Sequence, residues 1–209
     1  FTEEELRAAV EAAEDWGTYV TVHAYTPRAV QKSIAAGVKC IDHGHLLDDE
    51  TLKLIGEKGI WLSMQPLDSA VRASSSDEQK QKKYDVAAGT NRIYSVVKKY
   101  KLKLAWGTDL LFNPSANAKQ TATIPIMGKW FTPFEVLKMI THDNGELLAF
   151  SGKRRPYREG KLGVIEVGAY ADLILVDGNP MNDLKLMEDY DKNFILIIKD
   201  GKVIKNTIR

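Results

Sequence analysis

Tyr19-Val20-Thr21-Val22-His23, Val38-Lys39-Cys40-Ile41-Asp42-His43 and Leu104-Ala105-Trp106-Gly107-Thr108-Asp109 are three short, mostly apolar runs, each ending on a side chain that can bind a metal. A helix-like or loop segment follows each of them. In a parallel α/β barrel, chemistry is assembled where strands end and the next connection begins. Metal-competent side chains at the ends of successive strands are therefore the arrangement a metal-dependent hydrolase on such a barrel would show.

Outward from these runs the chain alternates helix and strand. Thr2-Glu3-Glu4-Glu5 is a capping box, and Leu6, Val10 and Ala13 recur at helical spacing until Gly17. Strand 19–25 precedes a helix opened by the cap Thr26 and by Pro27 at its first position, and closed by Gly37. Strand 38–43, a helix from Asp48 to Gly59 and strand 60–66 continue the pattern. Residues 67–88 are rich in Ser, Asp, Gln and Lys and show no clear period, which predicts a long loop holding a helical turn or more. Helix 89–100, strand 103–109 and a second long excursion over 110–131 come next. Thr132-Pro133-Phe134-Glu135 repeats the Thr-Pro start and the capping box, opening a helix to about Thr141, with a shorter one ending at Gly152.

Four strands alternating with helices are the grammar of a parallel sheet. No G-x-G-x-x-G loop follows any strand, which disfavours a dinucleotide fold. Beyond residue 160 the grammar changes to strands without helices, at 162–165, 171–176 and 194–198, and Asp200-Gly201 predicts a hairpin into Val203-Ile204. Ser151-Gly152-Lys153-Arg154-Arg155-Pro156 marks the break, dividing the chain into 1–152 and 153–209.

Composition is that of a soluble globular protein, with 44% hydrophobic and 27% charged residues among 209. With 29 Lys plus Arg against 28 Asp plus Glu, nothing selects a polyanionic partner. The basic stretches Lys80-Gln81-Lys82-Lys83 and Lys98-Lys99-Tyr100-Lys101-Leu102-Lys103 read as solvated helix faces, and no nucleic-acid partner is expected. No apolar run approaches the ~20 residues that span a bilayer, so no membrane partner is expected either. Cys40 has no second cysteine to pair with and reads as a reduced, buried group. The chain opens on Phe1 and runs straight into a helix, so upstream residues are expected to be missing; the compartment, cytoplasmic or periplasmic, stays open.

Residues two apart on a strand share a face, so Thr21, His23 and Tyr25 point one way and Val20, Val22 and Ala24 the other. His43 alternates with Ile41 at its strand exit. Asp109 follows the small pair Gly107-Thr108, which lets a ligand approach closely. Taken singly, each has a plain reading: a hydrogen-bonded core histidine, or an aspartate in a turn at the strand exit. Three independent strand ends carrying His, His and Asp fit three plain readings poorly. Imidazole and carboxylate are donors for Zn²⁺ or a similar divalent ion, which lowers the pKa of a bound water to about 7. Asp109 would be both a ligand and the base that takes a proton from water and passes it to a leaving amine. Tyr25 would donate to a substrate carbonyl or developing oxyanion, with packing at the site mouth as its plain alternative. Gln65, sharing a face with Trp61 and Ser63, is a candidate substrate ligand. His45 is a substrate-side or structural loop group, and His142 is structural.

Val22-His23-Ala24-Tyr25, Ile41-Asp42-His43-Gly44 and Trp106-Gly107-Thr108-Asp109 resemble the fifth, sixth and eighth strand motifs of the metal-dependent amidohydrolase superfamily, in its imidazolonepropionase-related, Xaa-Pro dipeptidase-like branch. The run from Gly160 to Asp177 resembles that superfamily's C-terminal G-x-I-x-x-G-x-x-A-D-L segment. The resemblance implies the C-terminal half of a (β/α)8 TIM-type barrel, strands five to eight, over 1–152, with the C-terminal strands of a small β-sandwich domain over 153–209. It implies one or two metal ions, with His23, His43 and Asp109 as ligands, and hydrolysis of carbon–nitrogen bonds in dipeptides or N-acyl amino acids. Relatives carry a His-x-His pair on strand one and, in two-metal members, a carboxylated Lys on strand four. No His-x-His precedes His23, so the missing N-terminal half is expected from another segment or subunit, with a homo-oligomer among the options. Two alternatives stay open: a catalytically incompetent fragment or pseudoenzyme, and a cyclic-amidine deaminase of the same barrel type.

Overall fold

The computed structural model describes residues 1–67, 76–110 and 114–208. Parts of the two long excursions read in the sequence, at 68–75 and 111–113, lie outside the described residues. The chain divides into two compact units, one of Phe1–Gly107 with Phe150–Arg154, the other of Thr108–Ala149 with Arg155–Arg209.

In the first unit, strands β1 (Thr21–Ala24), β2 (Cys40–His43), β3 (Trp61–Met64) and β4 (Lys103–Trp106) lie side by side in chain order, every neighbouring pair parallel. Helices α1 (Glu3–Asp15), α2 (Pro27–Ala35), α3 (Asp49–Lys58) and α4 (Asp77–Tyr100) alternate with them. Their starts follow from local chemistry. Thr2 and Glu5 close the capping box of α1, and the Asp48 carboxylate accepts from Thr51 N at 2.9 Å to begin α3, which Gly59 ends in the left-handed region. Thr26 stands at the N-cap of α2 in extended conformation, yet its hydroxyl makes no capping bond; Pro27 alone sets that start.

The parallel register lines up Val22, Ile41, Leu62 and Leu104 across all four strands. Ile41 and Leu62 are fully buried, as are Val30, Leu52, Ile55 and Ile93 of the covering helices. Each such side chain contributes roughly 1.5–3 kcal/mol by leaving water. A second row, His23, Asp42, Ser63 and Ala105, occupies the opposite face. The Thr21 hydroxyl donates to the Asp42 carboxylate at 2.8 Å on that face.

The segment read as a loop over 67–88 is a helix from Asp77 onward, and α4 runs for 24 residues. Ser76 and Gln79 form a capping box at its start. Its first turns, Asp77–Asp85, are exposed all round, and a helix with no apolar face leaves no hydrophobic period to read.

In the second unit, a short helix α5 (Pro114–Asn117) and two 3-10 turns, Gln120–Thr123 and Pro125–Lys129, precede α6 (Pro133–Lys138). The Thr132 and Glu135 capping box opens α6 as predicted, and the helix passes through a π turn, Met139–Asp143, into α7 (Asn144–Ala149). His142 sits in that π turn with Nδ1 2.7 Å from the Asp143 carboxylate. Strands β5 (Leu173–Val176), β6 (Phe194–Lys199) and β7 (Lys202–Asn206) form an antiparallel sheet in that order. Asp200 and Gly201 both take positive φ, 49° and 72°, as a two-residue hairpin of this type requires. The expected strand 162–165 is not formed. Gly163 stands at φ +73° with its Cα against the backbone of Thr141, which interrupts an extended run, and Ile165 is exposed. Among the described residues no helix is long and apolar enough to cross a membrane.

Candidate functional site

The exits of β1, β2 and β3 bring five of the residues singled out in the sequence into one cluster. The rings of His23 and His43 lie 4.4 Å apart between centroids, at 73°. Tyr25 stacks on His43 at 4.9 Å and 5°, meets His23 edge-on at 5.3 Å, and stacks on His45 at 5.9 Å. His23 is exposed, Tyr25 half-buried, and His43, His45 and Gln65 are buried.

The backbone explains how His43 comes to face His23. By register His43 pairs with Ala24, one step along from the His23–Asp42 pair. A fully extended strand would therefore send its side chain to the face of Val22 and Ile41, against the helices. Instead His43 takes φ 77°, and Gly44 follows at φ 64°. The strand turns there, and the ring swings to the side of His23. Beyond the turn, Gly44 N donates to the Ala24 carbonyl at 2.9 Å and Leu46 N to that of Tyr25 at 3.2 Å. Those bonds hold Tyr25 beside the His43-Gly44-His45 segment. A left-handed non-glycine residue costs of order 1–3 kcal/mol and persists only where its surroundings enforce it.

Gln65 is the residue whose role the sequence did not disclose. It lies just past β3 and is not a surface group. His43 Nδ1 lies 2.7 Å from its side-chain Oε1, and His45 Nε2 lies 3.3 Å from its main-chain carbonyl oxygen. The same carbonyl accepts from Leu67 N at 2.9 Å, using its second lone pair. Burial pushes His45 down to about 4, against the opposing pull of the Gln65 carbonyl and with a further lowering from His43. His45 is thus neutral at pH 7, and its Nδ1 is buried with no hydrogen-bond partner among the described residues. Only tertiary register brings Gln65 to both histidines, so spacing along the chain carries no signal of it.

Helix α4 backs the cluster. A Cβ added at Gly89 would lie 1.8 Å from the His45 carbonyl oxygen, so the helix backbone rests directly on the segment that carries both buried histidines. Below the site, Cys40 is buried, and that burial raises its thiol to about 12, with Asp42 adding to the shift and a hydrogen bond with Thr21 opposing it.

Asp109 belongs to the second unit, is exposed, and takes φ 49°. The donor set at the exits of β1 and β2 fits a divalent cation in kind, since paired imidazoles are common zinc and transition-metal donors. Among the described residues no group of three or more His, Cys, Asp or Glu side chains is placed to hold a metal ion.

Comparison with known proteins supplies the context. Residues 1–206 match the Amidohydrolase family. Ochratoxinase of Aspergillus niger is 27% identical over 210 residues, covering 98% of this chain and 42% of that protein. A prolidase complexed with N-methylphosphonate-L-proline superimposes with a TM-score of 0.84 at 29% identity, over 99% of this chain and 50% of the other. A Xaa-Pro dipeptidase with methionine bound in its active site gives a TM-score of 0.80 at 28% identity, over 99% and 49%. The chain thus spans about half the length of the relatives it matches.

Proposed function

From a chain that belongs to the amidohydrolase family, we propose the C-terminal half of a metal-dependent hydrolase that cleaves carbon–nitrogen amide bonds, with dipeptides or N-acyl amino acids as substrates. In this reading β1–β4 are strands five to eight of a (β/α)8 barrel, residues 1–152 are the barrel portion and 153–209 the sandwich segment, and the missing strands come from the N-terminal half of the longer protein. Relatives twice its length support that completion. So does the polar row of His23, Asp42 and Ser63 on the face opposite the covering helices, where a closed barrel would have its interior.

The observation that carries the function is the pairing of the His23 and His43 rings at adjacent strand exits, bought by a left-handed backbone at His43. A divalent ion such as zinc, when bound there, supplies Lewis acidity and makes a coordinated water acidic enough to act near neutral pH. His23 and His43 would be its imidazole donors. Two imidazoles are half of a zinc coordination sphere, so Asp109 and the absent N-terminal half are assigned the remaining donors. Asp109 also takes the proton from the attacking water and returns it to the leaving amine. Tyr25 presents its phenol to the substrate carbonyl and stabilises charge on that oxygen as the bond breaks. His45 and Gln65, both buried, form the wall of the site.

Elemental analysis of the purified whole protein, paired with hydrolysis of Xaa-Pro dipeptides and N-acyl amino acids, tests this reading. Expected are at least one equivalent of zinc or a similar ion, its loss in His23→Ala and His43→Ala, and loss of hydrolysis with it. Full metal content in both variants, or hydrolysis that survives them, would refute it. A second reading, a catalytically silent piece, rests on the lack, among the described residues, of three donors placed to hold a metal ion; absence of metal and of hydrolysis in the whole protein would select it.

A further inference from the structure

We infer that Gln65 is the positioning residue of this site, a single clamp that sets two neighbouring imidazoles in opposite tautomers. The inference rests on the metal-site reading above for its purpose, but its geometry stands apart from it. An amide oxygen can only accept, so a 2.7 Å contact between Gln65 Oε1 and His43 Nδ1 places the proton on Nδ1. The lone pair of His43 is then on Nε2. A main-chain carbonyl can likewise only accept, so its contact with His45 Nε2 places that proton on Nε2 and the lone pair on Nδ1. One residue, through its side chain and its backbone, thereby dictates which nitrogen of each ring can serve as a donor atom to a cation or an acceptor to a substrate proton.

Three features make the clamp rigid. Gln65 is buried, and its carbonyl is also tied to Leu67 N. Tyr25 covers the rings of both His43 and His45 from the other direction. A ring held by its Nδ1–H cannot rotate to offer a different nitrogen, and that is how outer partners orient metal-binding histidines and raise their donor strength.

The test is long-range ¹H–¹⁵N correlation of the imidazole nitrogens in metal-free, ¹⁵N-labelled whole protein at pH 8, with Gln65→Leu and Gln65→Glu as variants and Zn²⁺ titration as a second readout. Wild type is expected to show His43 as the Nδ1–H form and His45 as the Nε2–H form. In Gln65→Leu the side-chain acceptor is gone, and His43 is expected to move to the Nε2–H form or a mixture, with zinc affinity lower by about 10–100-fold. His45, held by the main chain, keeps its Nε2–H form in both variants. Gln65→Glu restores an acceptor, and with it the proton on Nδ1 of His43. A wild-type spectrum with His43 in the Nε2–H form overturns the inference whether or not any variant folds, as does an Nδ1–H signal unchanged in Gln65→Leu. If the tautomers behave as expected while zinc fails to perturb the His43 nitrogens, the clamp stands and the metal reading falls.

Discussion

Gly89→Ala isolates the packing that supports the site. Gly89 lies inside α4, where alanine would ordinarily be favoured by about 0.5–1 kcal/mol because glycine loses more backbone freedom on folding. Here the new Cβ would lie 1.8 Å from the His45 carbonyl oxygen and 2.7 Å from its carbon. The nearer distance is about half the ~3.5 Å at which non-bonded heavy atoms sit comfortably. The neighbour is backbone, so no side-chain rotation relieves the contact; α4 or the His43–Leu47 segment must move. Overpacking of this kind costs ~1–3 kcal/mol, and after subtracting the propensity gain the expected net loss is about 1–2 kcal/mol. The assay is urea unfolding of the whole protein followed by tryptophan fluorescence. Ala88→Gly, one position along and exposed, calibrates the propensity contribution in the same helix. Because the displaced carbonyl belongs to His45, the Nε2–H signal of His45 is expected to shift in Gly89→Ala and to stay in place in Ala88→Gly. A Gly89→Ala protein as stable as wild type, with an unshifted His45 signal, would refute the claim that α4 rests on this segment.

Other close contacts and caps in the fold set further expected outcomes. Gly163→Ala would place a Cβ 2.3 Å from the Thr141 carbonyl carbon and oxygen at a residue held at φ +73°, so steric and backbone strain add, and a loss of at least ~2 kcal/mol in chemical denaturation is expected; a neutral substitution would contradict the close approach. Ser76→Ala removes the hydroxyl that accepts from Gln79 N, and should cost about 1 kcal/mol and increase amide hydrogen exchange in the first turn of α4; unchanged exchange would show that the cap is idle. Cys40, with its thiol raised from the usual 9.0 to about 12, should resist a thiol reagent at pH 8 in the native protein and react once unfolded. The unfolded thiol ionises first, so this residue's contribution to stability is intact below pH 9 and is lost as pH rises from there toward 12. Cys40→Ala should flatten that alkaline slope, and an identical slope would refute the assignment.

Much of the first unit was legible because its physics is local or periodic. Val22, Ile41, Leu62 and Leu104 announced a buried strand face by composition, and Thr2, Asp48 and Thr132 announced helix starts through bonds that span three residues. The start of α4 was missed where that periodicity vanished. Ser76 and Gln79 cap it, but Asp77–Asp85 carries no apolar face from which a helical period could be read. The strand expected at 162–165 failed for the converse reason, since its apolar residues were visible and the left-handed Gly163 was not. The site divides along the same line. Strand-end logic selected His23, Tyr25 and His43, but alternation presumes extended backbone, and His43 joins His23 only by abandoning it.

That departure is itself informative about function. Four non-glycine residues among those described have positive φ: His43, Lys101, Asp109 and Asp200. Lys101 caps the C-terminus of α4, and Asp200 forms the hairpin between β6 and β7, so both are accounted for by chain reversal that any sequence must solve. The remaining two, His43 and Asp109, are two of the three residues, with His23, that strand-end position and donor chemistry single out in the sequence. A turn needs no histidine, and a conformation costing of order 1–3 kcal/mol would be relieved by glycine at either position. On the proposed function, a side chain stands at each of these positions, where glycine would be more comfortable, because it serves the site. At His43 the structure shows a ring aligned beside His23, stacked by Tyr25 and within hydrogen-bond distance of Gln65.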